Sequence, residues 1–192
     1  MILNHYITNT AALGNYLFSK PETKLVDRAL GGISLQNTTE GLNYQTWEIY
    51  YEGGSVKIKG LSNNLTYSLL SLDGITELSL AFDLSMNVSF SYVVNGQAFL
   101  RFYDAFTQSY QTLSLDNCRS PRMTYDDTRS MQTNTSDVIC AYINKDTLQL
   151  CYRLSRDRFT IEYPLKSVAE NARLIRVGMT DKLRLQFKIN LI

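Results

Sequence analysis

The chain has 192 residues, 44% apolar and 19% charged, with 19 basic and 18 acidic side chains, a formal net charge of +1 and three cysteines. That length supports one sizeable core burying roughly 70% of the surface an unfolded chain exposes, and the composition excludes a disordered chain. The near-neutral balance argues against a nucleic-acid binder that depends on counterion release.

Residues 1–45 read as an N-terminal arm and lead-in, because Met1 to Leu30 mixes Asn, Thr, Tyr and apolar residues without a sustained period. Ile2, Leu3, Tyr6, Leu13, Tyr16, Leu17 and Phe18 supply apolar area that no local helix or strand face would bury, so the arm is expected to make contacts outside its own domain. Met1 to Tyr6 carry neither a basic start nor an apolar stretch of signal-peptide length, and no run approaches the roughly 20 apolar residues of a membrane span. A soluble chain that stays in the cytoplasm where it is made is the expectation. Short helices are expected around Asp27 to Leu30 and around Val168 to Asn171.

Residues 46–192 read as a single all-β domain. Val88, Phe90, Tyr92 and Val94 share one side of a strand, as do Leu148, Leu150, Tyr152 and Leu154, and Leu183, Leu185, Phe187, Ile189 and Leu191. Turns fall between such runs at Glu52-Gly53-Gly54, Asp73-Gly74, Asn95-Gly96, Asn144-Lys145-Asp146 and Thr180-Asp181. Asn95-Gly96 is the strongest hairpin, since a tight primed turn needs the positive φ that Asn and Gly tolerate. Pro121 and Pro164 fall at expected strand ends, where a missing N–H does no harm.

The hairpins repeat. Ile49 to Ile58, Ser91 to Leu100 and Ala141 to Leu150 each read as aromatic strand, turn and apolar strand, spaced by about 42 and then 50 residues, the length of a four-stranded propeller blade. Ala81-Phe82-Asp83 corresponds to Thr124-Tyr125-Asp126, and Tyr110 to Leu115 corresponds to Phe159 to Leu165. Thr180 to Phe187 reads as a fourth, truncated unit. The expected fold is therefore an antiparallel hairpin meander with propeller-blade-like repeats, open or sandwiched, or completed by oligomerising.

The chemistry-bearing residues are few. His5 is the sole histidine, which disfavours a Ser-His-Asp triad, a Cys-His pair or a His-based metal site, and no phosphate-loop, dinucleotide or nucleophile-elbow motif occurs. Cys118, Cys140 and Cys151 have no C-x-x-C spacing and are expected to be reduced; a bridge between Cys140 and Cys151 across one turn is the lesser alternative. Asp83, Asp104, Asp126 and Asp127, some beside Phe82, Tyr103 and Tyr125, suit glycoside hydrolysis if two of them face across a cleft, but suit turn capping better. Arg153-Leu154-Ser155-Arg156-Asp157-Arg158 is the densest charged cluster. It serves either as a grip for an acidic partner or as a corner in which Asp157 pairs with a neighbouring arginine.

Ser120 to Arg129, Ser136 to Ile143 and Leu150 to Phe159 together resemble a segment found in virion structural proteins of tailed bacteriophages. Val177-Gly178-Met179-Thr180-Asp181-Lys182-Leu183-Arg184-Leu185-Gln186-Phe187 resembles the close of the same proteins, and the likeness covers about a third of the chain. It implies a tail, neck or fibre-attachment component of the virion, made in the bacterial host cytoplasm and present in several symmetric copies. It carries no catalytic residues over.

The combined expectation is a non-enzymatic virion component without cofactor or metal. It would form a homo-oligomer and dock other virion proteins, with no membrane and no specific nucleic acid as partners. The residues expected to bind partners are Tyr6, Tyr16 and Phe18 in the arm and Arg153, Arg156 and Arg158 in the charged cluster. A glycan- or receptor-binding β module of a phage tail is the alternative, and a carboxylate glycosidase a weaker third.

Overall fold

A computed structural model describes residues 5–8, 25–31, 45–125, 136–179 and 185–191. Strand β1 (His5–Thr8) is followed by three four-stranded antiparallel meanders. The first comprises β2 (Val26–Gly31), β3 (Gln45–Glu52), β4 (Ser55–Gly60) and β5 (Thr66–Ser71). The second comprises β6 (Ile75–Phe82), β7 (Val88–Val94), β8 (Gln97–Asp104) and β9 (Ser109–Leu115). The third comprises β10 (Cys118–Tyr125), β11 (Val138–Asn144), β12 (Gln149–Leu154) and β13 (Tyr163–Ser167). β14 (Ala172–Met179) and β15 (Leu185–Leu191) pair antiparallel, and β1 joins the outer side of β15 in parallel, His5 opposite Leu185 and Thr8 opposite Lys188.

The central hairpins follow the expected repeat. Glu52 pairs with Ser55 across Gly53-Gly54 at φ +57° and +72°, and Val94 with Gln97 across Asn95-Gly96 at φ +51° and +76°. These are the primed turns that match the strands' own twist. The third hairpin, β11 to β12, closes through Asn144 and Gln149.

The sheets stack in chain order. β2 packs on β6, β6 on β10 and β10 on β14, and one apolar core fills each gap. Trp47, Ile49 and Ile58 meet Leu80, Phe82 and Phe90 in the first. Leu100, Phe102 and Leu115 meet Cys140, Tyr142 and Phe159 in the second. Ile139, Ile143 and Leu150 meet Leu174, Phe187 and Ile189 in the third. The two middle sheets are thus covered on both faces, which is why β11 is buried along Val138 to Ile143 instead of alternating. No closed barrel forms among the described residues.

Polar bonds cross the first strands of the sheets. Asp27 on β2 accepts hydrogen bonds from Ser79 Oγ (2.6 Å) and Leu80 N (2.8 Å), while Met123 N donates to Ser79 Oγ at 2.8 Å. Glu77 on β6 lies between Arg122 on β10 (3.1 Å) and Arg173 on β14 (2.9 Å), and Arg122 Nε donates to the Ile175 carbonyl at 2.9 Å. Burial pushes the Arg122 guanidinium's pKa down, and the Glu77 and Asp27 carboxylates oppose that shift.

Several expectations are corrected. Asp27 to Leu30 is strand, not helix, because its alternate residues Asp27, Ala29 and Gly31 are buried against β6; packing overrides the helical preference of Ala, Leu and Arg. Val168 to Asn171 is a connection between β13 and β14, not a helix. Residues read as arm and lead-in supply both β1 and β2. Pro121 lies inside β10, at the register shift between Arg119 and Arg122 where the ladder is interrupted. β15 does not alternate cleanly: as the middle strand of its sheet it buries Gln186 and Lys188 too, and its end leaves Leu191 62% exposed. The Thr180-Asp181 turn, Tyr16 and Phe18 lie outside the described residues.

Cys118, Cys140 and Cys151 are free and buried. Cys140 stands opposite Arg153 and Cys151 opposite Tyr142, two residues out of phase for a cross-hairpin bridge. Burial pushes the Cys140 and Cys151 thiols up to about 12, and raises Cys118 well above its ordinary value. Because the thiolate is the reactive form, the native protein at pH 8 is expected to leave all three thiols unmodified by an aromatic disulfide reagent, and to release three equivalents once unfolded. Rapid labelling of the native protein would contradict this burial.

Candidate functional site

A groove of about 550 Å³ opens between the second and third sheets, at the end where β6 leaves for β7 and β8 for β9. The second sheet contributes Asp83, Tyr103, Asp104 and Phe106; the third contributes Asp137, Arg156 and Arg158. Five of these, Asp83, Tyr103, Asp104, Arg156 and Arg158, are residues singled out from sequence, and the stacking of repeat units brings them to one place.

Each carboxylate is engaged. Asp83 accepts from Asn87 N and Asn87 Nδ2, both at 2.8 Å, fixing the β6–β7 turn. Asp104 accepts from Phe106 N at 3.0 Å and Arg158 Nη2 at 2.5 Å. Asp137 accepts from Ser155 Oγ (3.0 Å) and Arg156 N (2.8 Å), and forms a close ion pair with the Arg156 guanidinium. Sequence reasoning missed Asp137, although its place directly before β11, within Ser136-Asp137, has the look of a strand-leading cap.

Asp157 does not pair with a neighbouring arginine as expected. It accepts from Tyr163 Oη at 2.7 Å, because the two arginines beside it are turned to Asp137 and Asp104. Arg153 points away from the groove: Nε donates to Tyr142 Oη at 2.7 Å and Nη1 to the Phe159 carbonyl at 3.0 Å. Tyr142 in turn donates a short bond to Glu162, and burial first, then this bond, pushes the phenol's pKa up against the pull of Arg153. The expected partner-binding trio thus divides into one internal brace and two groove residues. Tyr6 lies on β1 opposite Gln186.

The corner that carries Arg158 is strained. Arg158 and Phe159 both take left-handed backbone, φ +52° and +58°, a conformation that costs a non-glycine residue roughly 1–2 kcal/mol. The ion pair to Asp104 and burial of the Phe159 ring edge-on to Phe102, centroids 4.9 Å apart, hold it there. Of the candidate stacking aromatics, Phe82 and Tyr125 are buried, and Tyr103 packs edge-on against Tyr110 at 5.5 Å. The aromatic that faces solvent is Phe106, 86% exposed, with the Arg158 guanidinium 5.7 Å from its ring.

Burial alone would raise the Asp104 carboxyl, but the Phe106 N–H, the Arg158 guanidinium and Thr107 outweigh it and hold its pKa below the ordinary value. A depressed carboxyl stabilises the fold above its unfolded pKa of about 3.9, and that contribution is lost as pH falls through the lower folded value. Thermal unfolding between pH 2 and 6 is therefore expected to show a stability loss in acid that is shallower in Arg158→Ala. An identical acid profile in the two proteins would contradict the assignment.

Compared with known proteins, the chain matches no family model, no curated protein and no solved structure. Its function therefore has to be read from the fold and the groove. A lowered carboxyl is poorly suited to act as the general acid of a glycosidase, which needs a raised one. Asp83 and Asp104 each cap a separate turn; Asp126 and Asp127 lie outside the described residues.

Proposed function

We propose that the chain is a non-enzymatic structural component of a tailed-phage virion, of the tail, connector or fibre-attachment kind that its segments between Ser120 and Phe187 resemble. It oligomerises and docks other virion proteins. The observation that carries the reading is the stack of four sheets whose outer strands β5, β9 and β13 have no further strand beside them among the described residues. Open strand edges are ready surfaces for pairing with another chain. The groove adds support, since its acids and guanidiniums fix turns and one another, an arrangement suited to a rigid contact surface. Native mass spectrometry of the intact chain over a concentration series is expected to give homo-oligomers of defined stoichiometry; a strict monomer at high concentration would sink the reading.

A second reading, glycan or receptor binding, is favoured by Phe106 standing exposed over the groove. An exposed ring beside fixed polar groups is a usable sugar platform. A glycan array separates the two. Specific hits weakened by Phe106→Ala or Tyr103→Ala would favour the second reading, and a blank array the first.

A further inference from the structure

The outer edges of the sheets are not alike. On β5, Val56 pairs with Leu70 and Lys57 with Ser68, so Leu69 is an extra, bulged residue. On β13, Leu150 pairs with Lys166 and Cys151 with Pro164, so Leu165 is bulged, between a proline and a lysine. Bulges, prolines and lysines are devices that stop an edge from pairing with another chain. β1, the remaining outer edge, is only four residues long. β9 carries none of these guards: Ser109-Tyr110-Gln111-Thr112-Leu113-Ser114-Leu115 has no charge and no proline, and pairs with β8 from Asp104↔Ser109 to Ala98↔Leu115 without a shift.

Which of its backbone groups point outward follows from the neighbouring hairpin. The two-residue Asn95-Gly96 turn makes Val94 and Gln97 a hydrogen-bonded pair. Alternation along β8 then directs the N–H and C=O groups of Ala98, Leu100, Phe102 and Asp104 toward β9. On β9 the groups of Ser109, Gln111, Leu113 and Leu115 answer them, and those of Tyr110, Thr112 and Ser114 face away from the sheet. The side chains on that face are already ordered: Arg101 Nη1 donates to Thr112 Oγ1 at 3.3 Å, and the Arg101 guanidinium sits 5.6 Å from the Tyr110 ring.

We infer that β9 is the strand through which two copies of this chain join, edge to edge and antiparallel, giving one sheet that runs from β6 of one copy to β6 of the other. The occupant is a second copy because β9 is uncharged and unshifted, so an antiparallel self-pairing centred on Thr112 sets no charge against its like. Read antiparallel, Tyr110 faces Ser114 of the partner and Thr112 faces its own counterpart, so each outward N–H meets a carbonyl, for about six backbone bonds. No like charges meet, a conflict that charged edges create when they self-pair. Such a contact is isologous and closes as a dimer. The inference deepens the assembly reading and rests on it.

Sedimentation equilibrium of the full chain tests it. Wild type is expected to dimerise reversibly. Thr112→Pro removes an outward N–H that β8 does not use, and on both sides of the dyad, so it should raise the dimer Kd by about 30-fold or more with unchanged circular dichroism. Thr112→Lys, at an exposed position, places two like charges on the dyad, and its weakened dimer should recover in part at high salt. If both variants fold and associate as tightly as wild type, association lies elsewhere: the β9 assignment fails while the assembly reading stands. A wild type that is monomeric at every concentration overturns both.

Discussion

Glu77→Ala is expected to lower stability by about 3–5 kcal/mol, the usual cost of removing one partner from a buried ion pair. Glu77 pairs with both Arg122 on β10 and Arg173 on β14, and the three side chains are 13%, 7% and 13% exposed. Without it two guanidiniums share a water-poor space, and one of the polar contacts that tie the second sheet to the third and fourth is lost. The cost is that of stranding charge, not the net worth of the network. Replacing Glu77, Arg122 and Arg173 together by apolar residues of similar volume is therefore expected to cost far less than the single change. Guanidinium unfolding followed by Trp47 fluorescence and circular dichroism measures both. A Glu77→Ala protein within about 1 kcal/mol of wild type would mean that water reaches the pair.

Deleting residues 1–31 is expected to abolish the cooperative fold of the first sheet, whereas deleting 1–24 should leave it. The longer deletion removes β2, the ladder partner of β3 from Gln45 to Tyr50. It uncovers Trp47 and Ile49, whose burial in the intact chain is complete, together with Leu80 and Phe82 on β6. At roughly 1.5–3 kcal/mol for each fully buried large side chain, these losses approach the ~5–15 kcal/mol that holds a whole domain together. Leu80 N also loses its Asp27 acceptor, and Trp47 Nε1 its bond to the Gly31 carbonyl. The chain has a single tryptophan, so its emission reports this sheet directly: a red-shifted, non-cooperative signal is expected for the 1–31 deletion and a native one for the 1–24 deletion. A blue-shifted, cooperative Trp47 in the longer deletion would show that β2 is dispensable.

What could be read in the sequence was local. The Asn95-Gly96 and Gly53-Gly54 turns announce themselves through residues that accept positive φ, and the equivalence of Ala81-Phe82-Asp83 with Thr124-Tyr125-Asp126 anticipates the matching ends of β6 and β10. What escaped was set by distant packing. Asp27 to Leu30 reads as helix until β3 and β6 are placed beside it, and nothing near His5 signals a parallel pairing with Leu185. Gln186 and Lys188 read as solvent-facing because alternation cannot show that both sides of β15 are covered. The groove was half legible: Asp83, Asp104, Arg156 and Arg158 stood out as chemistry-bearing residues, but their convergence depends on the second and third sheets stacking. Glu77 was not legible at all: it sits in β6 beside the polar Thr76 and Ser79, and its pairing with Arg122 and Arg173 depends on β10 and β14, strands far along the chain.

The proposed virion role is tested most directly by the protein composition of phage particles purified from cultures that produce this chain. Mass spectrometry of such virions is expected to find the chain in several copies per particle, retained through salt washing. Its absence from particles, with the protein recovered only in the soluble lysate, would contradict a structural role in the virion.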